Sequence, residues 1–391
     1  MKYKITVVTA TRAEYGLLSS VIRQITNDPL LELDLIVTGT HLEEYFGNTY
    51  QEIERDGFVS YQTIPIYAGT DEAGILEGMA NAASKIGTYL SCSRPDVLVM
   101  LGDRFELYPI AGCCVALHIP IAHISGGEIS EGAQDEYFRH AITKMASMHF
   151  TSNESCRKRV VQMGENPNYV FNVGDLGIEN IKTIKFLSKR ELEEDLGIQF
   201  TDTMFQVTFH PVTTEYDSVR QLKALLDVFS RHEEYQVIFT RPNADSQGLE
   251  LGSMIDQFVE THAARSKVFP SLGYRRYLSL LSFCTAIVGN SSSGIVEAPY
   301  LHIGVIDVGN RQKGRECAAS VIHCPAEEEA LEQAFETVCS TQYKNQLPKV
   351  KSPYEAENTA ERIVDLIKRN LSGGLQQKRF FDLEENSGKG C

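Results

Sequence analysis

The sequence lacks the paired cysteine spacings that mark disulfide-rich and zinc-binding proteins. It also has little of the long, uncharged apolar sequence that marks membrane spans. Its nine cysteines form no CxxC pair and no zinc-ligand spacing, which predicts reduced thiols and not a disulfide scaffold. The stretch 107–124 has no Asp, Glu, Lys or Arg, but it contains two prolines, two histidines and a glycine. A buried helix followed by a strand explains this stretch better than a membrane span does.

The chain also lacks an extended basic cluster. Its formal net charge is −15, from 37 Lys and Arg against 52 Asp and Glu, and its basic run at 157–159 has only three residues. This argues against nucleic acid as a partner, although a phosphorylated small molecule needs only a few local donors. Arg12 and Glu14 interrupt the N-terminal segment, so it does not resemble a signal peptide. We therefore expect a cytoplasmic, soluble protein without membrane insertion.

Apolar, β-branched runs alternate with helical patterns along nearly the whole chain. This rhythm, with fully apolar strands, predicts parallel sheets covered by helices on both faces. The rhythm pauses around 174–197 and then restarts, which predicts an α/β fold of two doubly wound, Rossmann-like domains facing a central cleft. We predict a first domain at 1–180, a second at 181–371 whose last helix (355–371) packs back on the first, and a mobile tail at 372–391.

A dinucleotide fingerprint is absent after the first predicted strand. Residues 9–16 read TATRAEYG and contain a single glycine, whereas a GxGxxG turn needs three. This disfavours a two-domain dehydrogenase.

Two predicted strand ends in the first domain are rich in acidic residues. The strand at 97–101 is followed by Asp103 and Arg104, and the strand at 119–124 is followed by Glu128, Asp135 and Arg139. Ligands of open α/β sheets sit at the carboxyl ends of the strands, where packing does not require such charge. The pattern predicts an active site, although salt bridges to Arg104 and Arg139 would also explain the acids.

The second domain carries the strongest candidate for a phosphate site. Residues 289–294 read GNSSSG between a strand and a helix, so hydroxyls and exposed N–H groups can meet a diphosphate there. An ordinary N-cap turn is the alternative. Further candidates lie just past other strands, with a structural histidine, a solvated acid and surface arginines as alternatives: Arg12, Arg104, His210, Glu297 and Arg311.

These motifs together resemble one family. The runs ATRAEYG (10–16), GDRFE (102–106), HISGGE (123–128), FHPVTT (209–214), GNSSSG (289–294) and NRQKGRE (310–316) are similar to those of the hydrolysing UDP-N-acetylglucosamine 2-epimerases of bacterial sialic-acid capsule synthesis. The likeness runs from about residue 3 to 370. It implies a fold of the GT-B type, a homodimer or homotetramer, and neither a metal nor another cofactor.

The resemblance also implies a role for each matched residue. It places Asp103, Glu128 and Asp135 in the catalytic centre, with Arg139 as an orienting partner. It places the following residues around the UDP moiety, with Leu272 beside the uracil: Arg12, Arg104, His210, Leu272, Ser291, Ser292, Glu297 and Arg311. The implied reaction converts UDP-N-acetylglucosamine and water to N-acetylmannosamine and UDP, through elimination of UDP to a glycal and hydration of the glycal.

Three other functions stay open from the sequence. A non-hydrolysing 2-epimerase typically has Gly-Asp-Thr and Glu-Ala-Gly-Leu-Arg where this chain has GDRFE and GGE. A retaining GT-B glycosyltransferase has no obvious use for three carboxylates. A non-catalytic sugar-nucleotide sensor would bind substrate without needing Asp103 for turnover.

Overall fold

The computed structural model describes residues 2–130, 134–212, 217–241, 246–375 and 377–383. The chain divides into two compact units. The first unit comprises 1–128, 135–179 and 356–391, and the second comprises 129–134 and 180–355. Each unit is built around one parallel sheet. Among the described residues, no helix combines the length and the apolar character needed to cross a bilayer.

The first unit has a seven-stranded parallel sheet in the order β3-β2-β1-β4-β5-β6-β7. Its strands are β1 (Tyr3–Thr9), β2 (Leu31–Thr38), β3 (Gln62–Ile64), β4 (Val97–Leu101), β5 (Ile121–Ile124), β6 (Met148–Thr151) and β7 (Val170–Asn172). Its helices are α1 (Arg12–Asn27), α2 (Tyr50–Arg55), α3 (Glu72–Asn81), α4 (Gly87–Ser93), α5 (Leu107–Leu117), α6 (Asp135–Met145) and α7 (Glu154–Gln162), and α8 (Leu176–Thr183) crosses into the second unit.

Helices bury both faces of this sheet because its strands are apolar on both sides. Ile5 and Val7 of β1 pack with α1 on one face, whereas Leu98 and Met100 of β4 pack with α5 on the other. The last helix, α17 (Thr359–Ser372), joins the first face through residues such as Ile363. Burial of this kind contributes about 25 cal/mol per Å² of apolar surface.

The second unit has a six-stranded parallel sheet in the order β10-β9-β8-β11-β12-β13. Its strands are β8 (Met204–Thr208), β9 (Gln236–Thr240), β10 (Ser266–Phe269), β11 (Ala286–Gly289), β12 (Gly304–Val308) and β13 (Val321–Cys324). Its helices are α9 (Lys189–Leu196), α10 (Ser218–Arg231), α11 (Ser246–Thr261), α12 (Gly273–Leu281), α13 (Ser292–Ile295), α14 (Glu297–Tyr300), α15 (Glu328–Cys339) and α16 (Thr341–Gln346).

An aromatic cluster fills one face of the second sheet. Phe205 of β8 packs edge-on against Phe335 of α15 and lies near Phe229 of α10. The opposite face is covered by α9 and α12 through Leu192, Leu280 and their neighbours. Both units therefore have the doubly wound α/β architecture that the sequence predicts.

The segment after α17 is the tail that the sequence predicts to be mobile, and part of it is described. Residues 377–383 are described, and they contact the first unit: Lys378 pairs with the buried Glu165 at 2.7 Å, and Phe381 N donates to Gly164 O at 2.9 Å. Phe380 lies beneath the ammonium group of Lys144. The rest of the predicted tail beyond residue 383 lies outside the described residues.

Candidate active site

Most predicted site residues follow strands beside a topological switch point. In the first unit β1 and β4 are adjacent, and the chain winds outward from them in opposite directions. The corresponding pair in the second unit is β8 and β11. A crevice opens at the carboxyl ends of such a pair. Because Asp103 follows β4 and His210 follows β8, the topology gathers each unit's predicted residues at one edge of its sheet.

Asp103 lies against the guanidinium group of Arg139, which is only 3% exposed. Arg139 Nε donates to Asp103 Oδ2 at 2.7 Å, and Nη2 donates to the same oxygen. Arg139 Nη1 donates to the main-chain oxygen of Glu128 at 2.9 Å. The Glu128 carboxylate, itself buried, accepts from Ser152 Oγ at 2.8 Å. One arginine of α6 therefore fixes Asp103 and the backbone of Glu128 together.

His123, a fully buried residue of β5, holds the backbone just before Asp103. Its Nε2 lies 2.7 Å from Gly102 O, so Nε2 carries the proton and donates to that carbonyl. Nδ1 lies 3.2 Å from Thr143 Oγ1. Burial lowers the pKa of His123 to about 4, so the ring is neutral near pH 7. His123 therefore positions the turn that carries Asp103.

Arg104 is surrounded by carboxylates. Its Nε and Nη2 donate to the two carboxylate oxygens of the buried Glu106, at 3.1 and 2.9 Å. The charges of Glu14 and Asp135 also act on this guanidinium. Arg104 thus connects the start of α1, the end of β4 and the start of α6, where Asp135 is exposed.

Glu14 is the acid in this group with the most unusual surroundings. Its Oε2 accepts from the main-chain N–H groups of Ala10 and Thr11 at 2.7 and 3.1 Å, which completes a capping box on α1. Its other oxygen is buried and has no hydrogen-bond partner among the described residues. Burial raises the pKa of Glu14 to about 7, and Arg104 lowers it only in part.

Glu14→Gln should therefore change how the stability of the first unit depends on pH. A carboxyl group whose pKa rises on folding binds its proton more tightly in the folded chain than in the unfolded one. The free energy of unfolding then falls as pH rises, by roughly 2 kcal/mol between pH 5 and pH 7. Urea titrations at both pH values should show this loss in the unmodified chain and little of it in Glu14→Gln.

The exposed Glu329 offers a matched control. Glu329→Gln should keep the pH dependence of the unmodified chain. An equal pH dependence in Glu14→Gln and the unmodified chain would contradict the assignment of that dependence to Glu14.

Asn290, a fully buried residue, organises the edge of the second sheet. Its side chain bridges the end of β8: Oδ1 accepts from His210 N at 2.7 Å and Nδ2 donates to His210 O at 2.8 Å. Its main-chain oxygen accepts from Arg311 Nη1 at 3.0 Å and from Gln312 Nε2 at 2.8 Å. Asn290 therefore connects the ends of β8 and β11 to the loop that follows β12.

His210 is an uncharged group in this arrangement. Burial, and to a smaller extent the nearby positive charge of Arg311, lowers the pKa of His210 to about 3. Near pH 7 a neutral ring can donate one hydrogen bond and accept another. The cationic charge beside it comes from Arg311.

The serine turn after β11 is an N-cap, as the alternative reading of the sequence allowed. Ser291 Oγ accepts from Ser293 N at 3.4 Å at the start of α13. Ser292 is exposed, and Ser293 Oγ accepts from Tyr277 at 2.9 Å. Glu297 begins α14, and burial raises its pKa. An internal hydrogen bond therefore stabilises the turn, and the Ser292 hydroxyl is exposed at the carboxyl end of the sheet.

The contacts described for two predicted residues, Arg12 and Leu272, are with residues that were not predicted for the site. Arg12 is the first residue of α1, and its ion pair with Glu52 is long, at 3.9 Å, and exposed. Such a pair contributes little stability. Leu272 is only 2% exposed and packs in the core beside α9 and α12, and its main-chain oxygen accepts from Arg276 Nε at 2.8 Å.

Three residues that organise the candidate site were not predicted from the sequence, because each has an ordinary structural explanation there. Glu14 fits a helix capping box, and Glu106 fits the start of a helix. The sequence around Asn290 indicates a turn residue. Its bridging role is not visible there, because its hydrogen-bond partner His210 lies far away in the chain. The signal that could have identified Glu14 is its position directly after β1 at the switch point.

Known proteins match this chain along most of its length. The family model for UDP-N-acetylglucosamine 2-epimerase matches residues 23–368. A Campylobacter jejuni protein named GDP/UDP-N,N'-diacetylbacillosamine 2-epimerase (hydrolyzing) is 36% identical over 98% of this chain and 100% of its own length. Polysialic acid biosynthesis protein P7 of Escherichia coli is 35% identical, covering 98% of each chain.

A solved structure has the same fold as this chain, although the two sequences are only 19% identical. The crystal structure of Methanocaldococcus jannaschii UDP-GlcNAc 2-epimerase, in complex with UDP-GlcNAc and UDP, matches with a TM-score of 0.78. The match covers 94% of this chain and 99% of that one at 19% identity, and it shows a GT-B-like fold of two parallel-sheet α/β domains. Because the family model matches residues 23–368 and two relatives are more than 30% identical over nearly the whole chain, this chain belongs to the UDP-N-acetylglucosamine 2-epimerase family.

Proposed function

We propose that this protein is a hydrolysing 2-epimerase that converts UDP-N-acetylglucosamine and water to N-acetylmannosamine and UDP. The observation that carries the proposal is the Arg139 contact that holds Asp103 and the backbone of Glu128 together. Asp135 adds a third carboxylate beside Arg104. These acids lie at the sheet edge where doubly wound proteins bind ligands.

The reaction needs acid and base groups because of the substrate's own chemistry. No carbonyl adjoins C2 of the sugar, so its hydrogen becomes removable only as UDP departs from C1 and the ring gains oxocarbenium character. A base then takes the C2 proton and a glycal forms. Water adds at C1, and a proton returns to C2 from the opposite face. Two acid/base groups are therefore required, and each is typically worth about 10²–10⁴-fold in rate.

The first unit supplies these groups in different surroundings. Asp103 is paired with a buried guanidinium, whereas Glu128 is buried beside a serine hydroxyl. Different surroundings are what allow two carboxyl groups to take different protonation roles. In this proposal Asp103, Glu128 and Asp135 act on the sugar, and Arg139 positions Asp103.

The second unit supplies groups suited to a departing diphosphate. Arg311 gives a positive charge, and the neutral His210 and the turn at Ser291 and Ser292 give hydrogen-bond donors. Donors placed before the reaction stabilise the leaving group at low reorganisation cost. Arg12, Arg104 and Glu297 complete the proposed UDP contacts, with Leu272 beside the uracil.

The hydrolysing outcome is supported by sequence and by relatives. Arg104 replaces the threonine of the non-hydrolysing Gly-Asp-Thr pattern, and its bidentate contact with the buried Glu106 makes it part of the framework. The Campylobacter jejuni relative is named as a hydrolyzing enzyme. That relative also favours a second candidate, the same hydrolytic reaction on UDP-N,N'-diacetylbacillosamine.

Reaction in D₂O with each sugar nucleotide tests the proposal. We expect free N-acetylmannosamine carrying deuterium at C2, together with UDP, because the returning proton comes from solvent. NMR and mass spectrometry of the products measure both. Accumulation of UDP-N-acetylmannosamine would overturn the hydrolytic assignment, and faster turnover of the bacillosamine nucleotide would move the substrate to the second candidate. N-Acetylmannosamine incubated with enzyme and UDP in D₂O is the control for exchange after product release.

The biological setting is part of the same proposal. We place the enzyme in the cytoplasm, at the first step of sialic-acid synthesis for a capsule. The Escherichia coli relative is named as a polysialic acid biosynthesis protein, which supports a role in sialic-acid synthesis. We propose a homodimer or homotetramer, as the resemblance to the family implies. Light scattering of the purified chain measures the assembly.

A further inference from the structure

The segment that follows α17 reaches the C-terminal end of α6 in the first unit. Lys378 Nζ donates to the main-chain oxygen of Ala146 at 2.6 Å, and Ala146 directly follows α6. The last carbonyl groups of a helix have no partner within the helix, and the helix dipole favours a cation beside them. Lys378 therefore caps α6 from a position 232 residues later in the chain.

The same ammonium group belongs to an ion cluster around Glu165, which is only 2% exposed. Lys378 Nζ lies 2.7 Å and His149 Nε2 lies 3.0 Å from Oε2 of Glu165. Lys144, in the last turn of α6, pairs with Oε1. Burial opposes the ionisation of Glu165, but hydrogen bonds from these three partners lower its pKa to about 2. The buried carboxylate therefore joins the segment to α6 by charge as well as by the cap.

Phe380 and Phe381 fix the segment further along. The Phe380 ring lies beneath the ammonium group of Lys144, which is 5.0 Å from the ring centroid. Gly164 has φ at +86°, and a Cβ added there would overlap the Phe380 ring. Phe381 N donates to the main-chain oxygen of Gly164 at 2.9 Å. Main-chain and side-chain contacts thus hold the segment in one geometry against the first unit.

The last turn of α6 is connected to the turn that carries Asp103. Ala146 N donates to the main-chain oxygen of Thr143 at 3.2 Å. The Thr143 hydroxyl lies 3.2 Å from Nδ1 of His123, whose Nε2 donates to Gly102 O at 2.7 Å. Gly102 directly precedes Asp103. An unbroken set of hydrogen bonds therefore runs from the Lys378 cap to the backbone beside Asp103.

Arg139 gives α6 a second connection to the same carboxylate. It lies about two turns before Ala146 in the helix, and its Nε donates to Asp103 Oδ2 at 2.7 Å. Because both connections begin on α6, the position of this helix sets the position of Asp103.

We propose that Lys378 is a positioning residue for the epimerase reaction, and that residues 377–383 form a strap that holds α6 in the geometry Asp103 requires. The effect on turnover rests on the proposed function. Lys378 acts from the amino ends of the strands, since Ala146 precedes β6, whereas Asp103 follows β4. It therefore acts through α6 and not on the substrate. Without the strap, the last turn of α6 loses its cap and opens more often.

Amide hydrogen exchange of the full-length protein tests the strap without any substrate. Lys378→Gln removes the charge, Lys378→Arg keeps it, and Arg379→Gln makes the same charge change at the next position. Arg379 is exposed, and its side chain pairs with none of the described residues. All three substitutions lie beyond the last helix, so the variants should fold, which circular dichroism checks.

The expected exchange result follows from the loss of a charged hydrogen bond. In Lys378→Gln the amides at 142–147 should exchange about 10-fold faster than in the unmodified protein, and those at 102–107 should also become faster. Lys378→Arg and Arg379→Gln should exchange like the unmodified protein at both segments. Mass spectrometry of peptic fragments measures the two segments separately.

Steady-state release of UDP from UDP-N-acetylglucosamine measures the effect on turnover. We expect Lys378→Gln to lower kcat by about 3- to 10-fold and to change KM by less than about twofold, because a misplaced Asp103 affects the chemical step. Lys378→Arg should restore kcat, and Arg379→Gln should leave it unchanged.

The exchange data and the kinetics can each overturn the proposal. Unchanged exchange at 142–147 in Lys378→Gln would show that Lys378 does not hold α6. Faster exchange there with no change at 102–107 would show that the segment is attached without positioning Asp103, and equal effects in Arg379→Gln would assign the change to charge alone. An unmodified protein without turnover would instead contradict the proposed function, and the exchange at 102–107 would still decide the role of Lys378.

Discussion

Asp103→Asn is expected to lower kcat for UDP-N-acetylglucosamine by about 10²–10⁴-fold, the usual effect of losing one acid/base group. The substitution keeps an oxygen that can accept from Arg139, but it removes the carboxylate that could take or give a proton. Because the geometry set by Arg139 and His123 persists, KM should change much less than kcat. Steady-state release of UDP measures both constants.

Asp96→Asn is the matched control, because Asp96 lies at the opposite end of the same strand. Asp96 is exposed, precedes β4, and accepts from the main chain of Lys4 at 2.7 Å. Its amide should keep that hydrogen bond and leave kcat unchanged. If Asp103→Asn folds normally and retains turnover within about threefold of the unmodified chain, Asp103 is not an acid/base group of the reaction.

Much of the fold was predictable because its strands are apolar on both faces. The predicted strand at 97–101 matches β4, and the predicted strand at 119–124 contains β5. Such runs carry a strong local signal that tertiary contacts reinforce. The rhythm of strands and helices then limits the topology to a doubly wound sheet.

The edge strands of the second sheet carried too little local signal for prediction. β10 contains Lys267 and only four residues, and β13 ends the sheet on its other side with His323 exposed. Short, half-polar strands of this kind are held by backbone pairing with a neighbour. α9 is highly charged, with two buried leucines, Leu192 and Leu196, that reveal its apolar face only in the structure.

The positions of the predicted site residues after strands were predictable from the sequence, whereas their contacts were not. Charges after strands identified Asp103, Glu128 and Arg311, since a sheet edge collects whatever follows its strands. The bridging role of Asn290 depends on residues about 80 positions away, so no local pattern indicates it. The same holds for the ion pair of Lys378 with Glu165, because the two residues lie far apart in the chain.

Gly289→Ala should destabilise the second unit by roughly 3 kcal/mol or more and abolish nucleotide binding. Gly289 ends β11 with φ at +131°, a region that residues with a side chain rarely adopt. A Cβ there would lie 2.0 Å from the main-chain oxygen of Thr208, its ladder partner on β8. Because that contact is with backbone, no side-chain rotation relieves it.

The consequence reaches the proposed diphosphate site through Asn290. Its main-chain N–H donates to Thr208 O at 3.2 Å, so displacing that oxygen disturbs the residue that ties His210 and Arg311 together. Urea unfolding and titration with UDP measure the two effects. Gly112→Ala is the control: Gly112 is exposed within α5, nothing lies within 4 Å of its added Cβ, and alanine there should stabilise the helix by roughly 0.5–1 kcal/mol. The contrary result is that Gly289→Ala unfolds at the same urea concentration as Gly112→Ala and binds UDP normally. In that case the turn after β11 neither requires a glycine nor controls the geometry of Asn290. The proposed role of the second unit in holding the diphosphate would then lose its structural support.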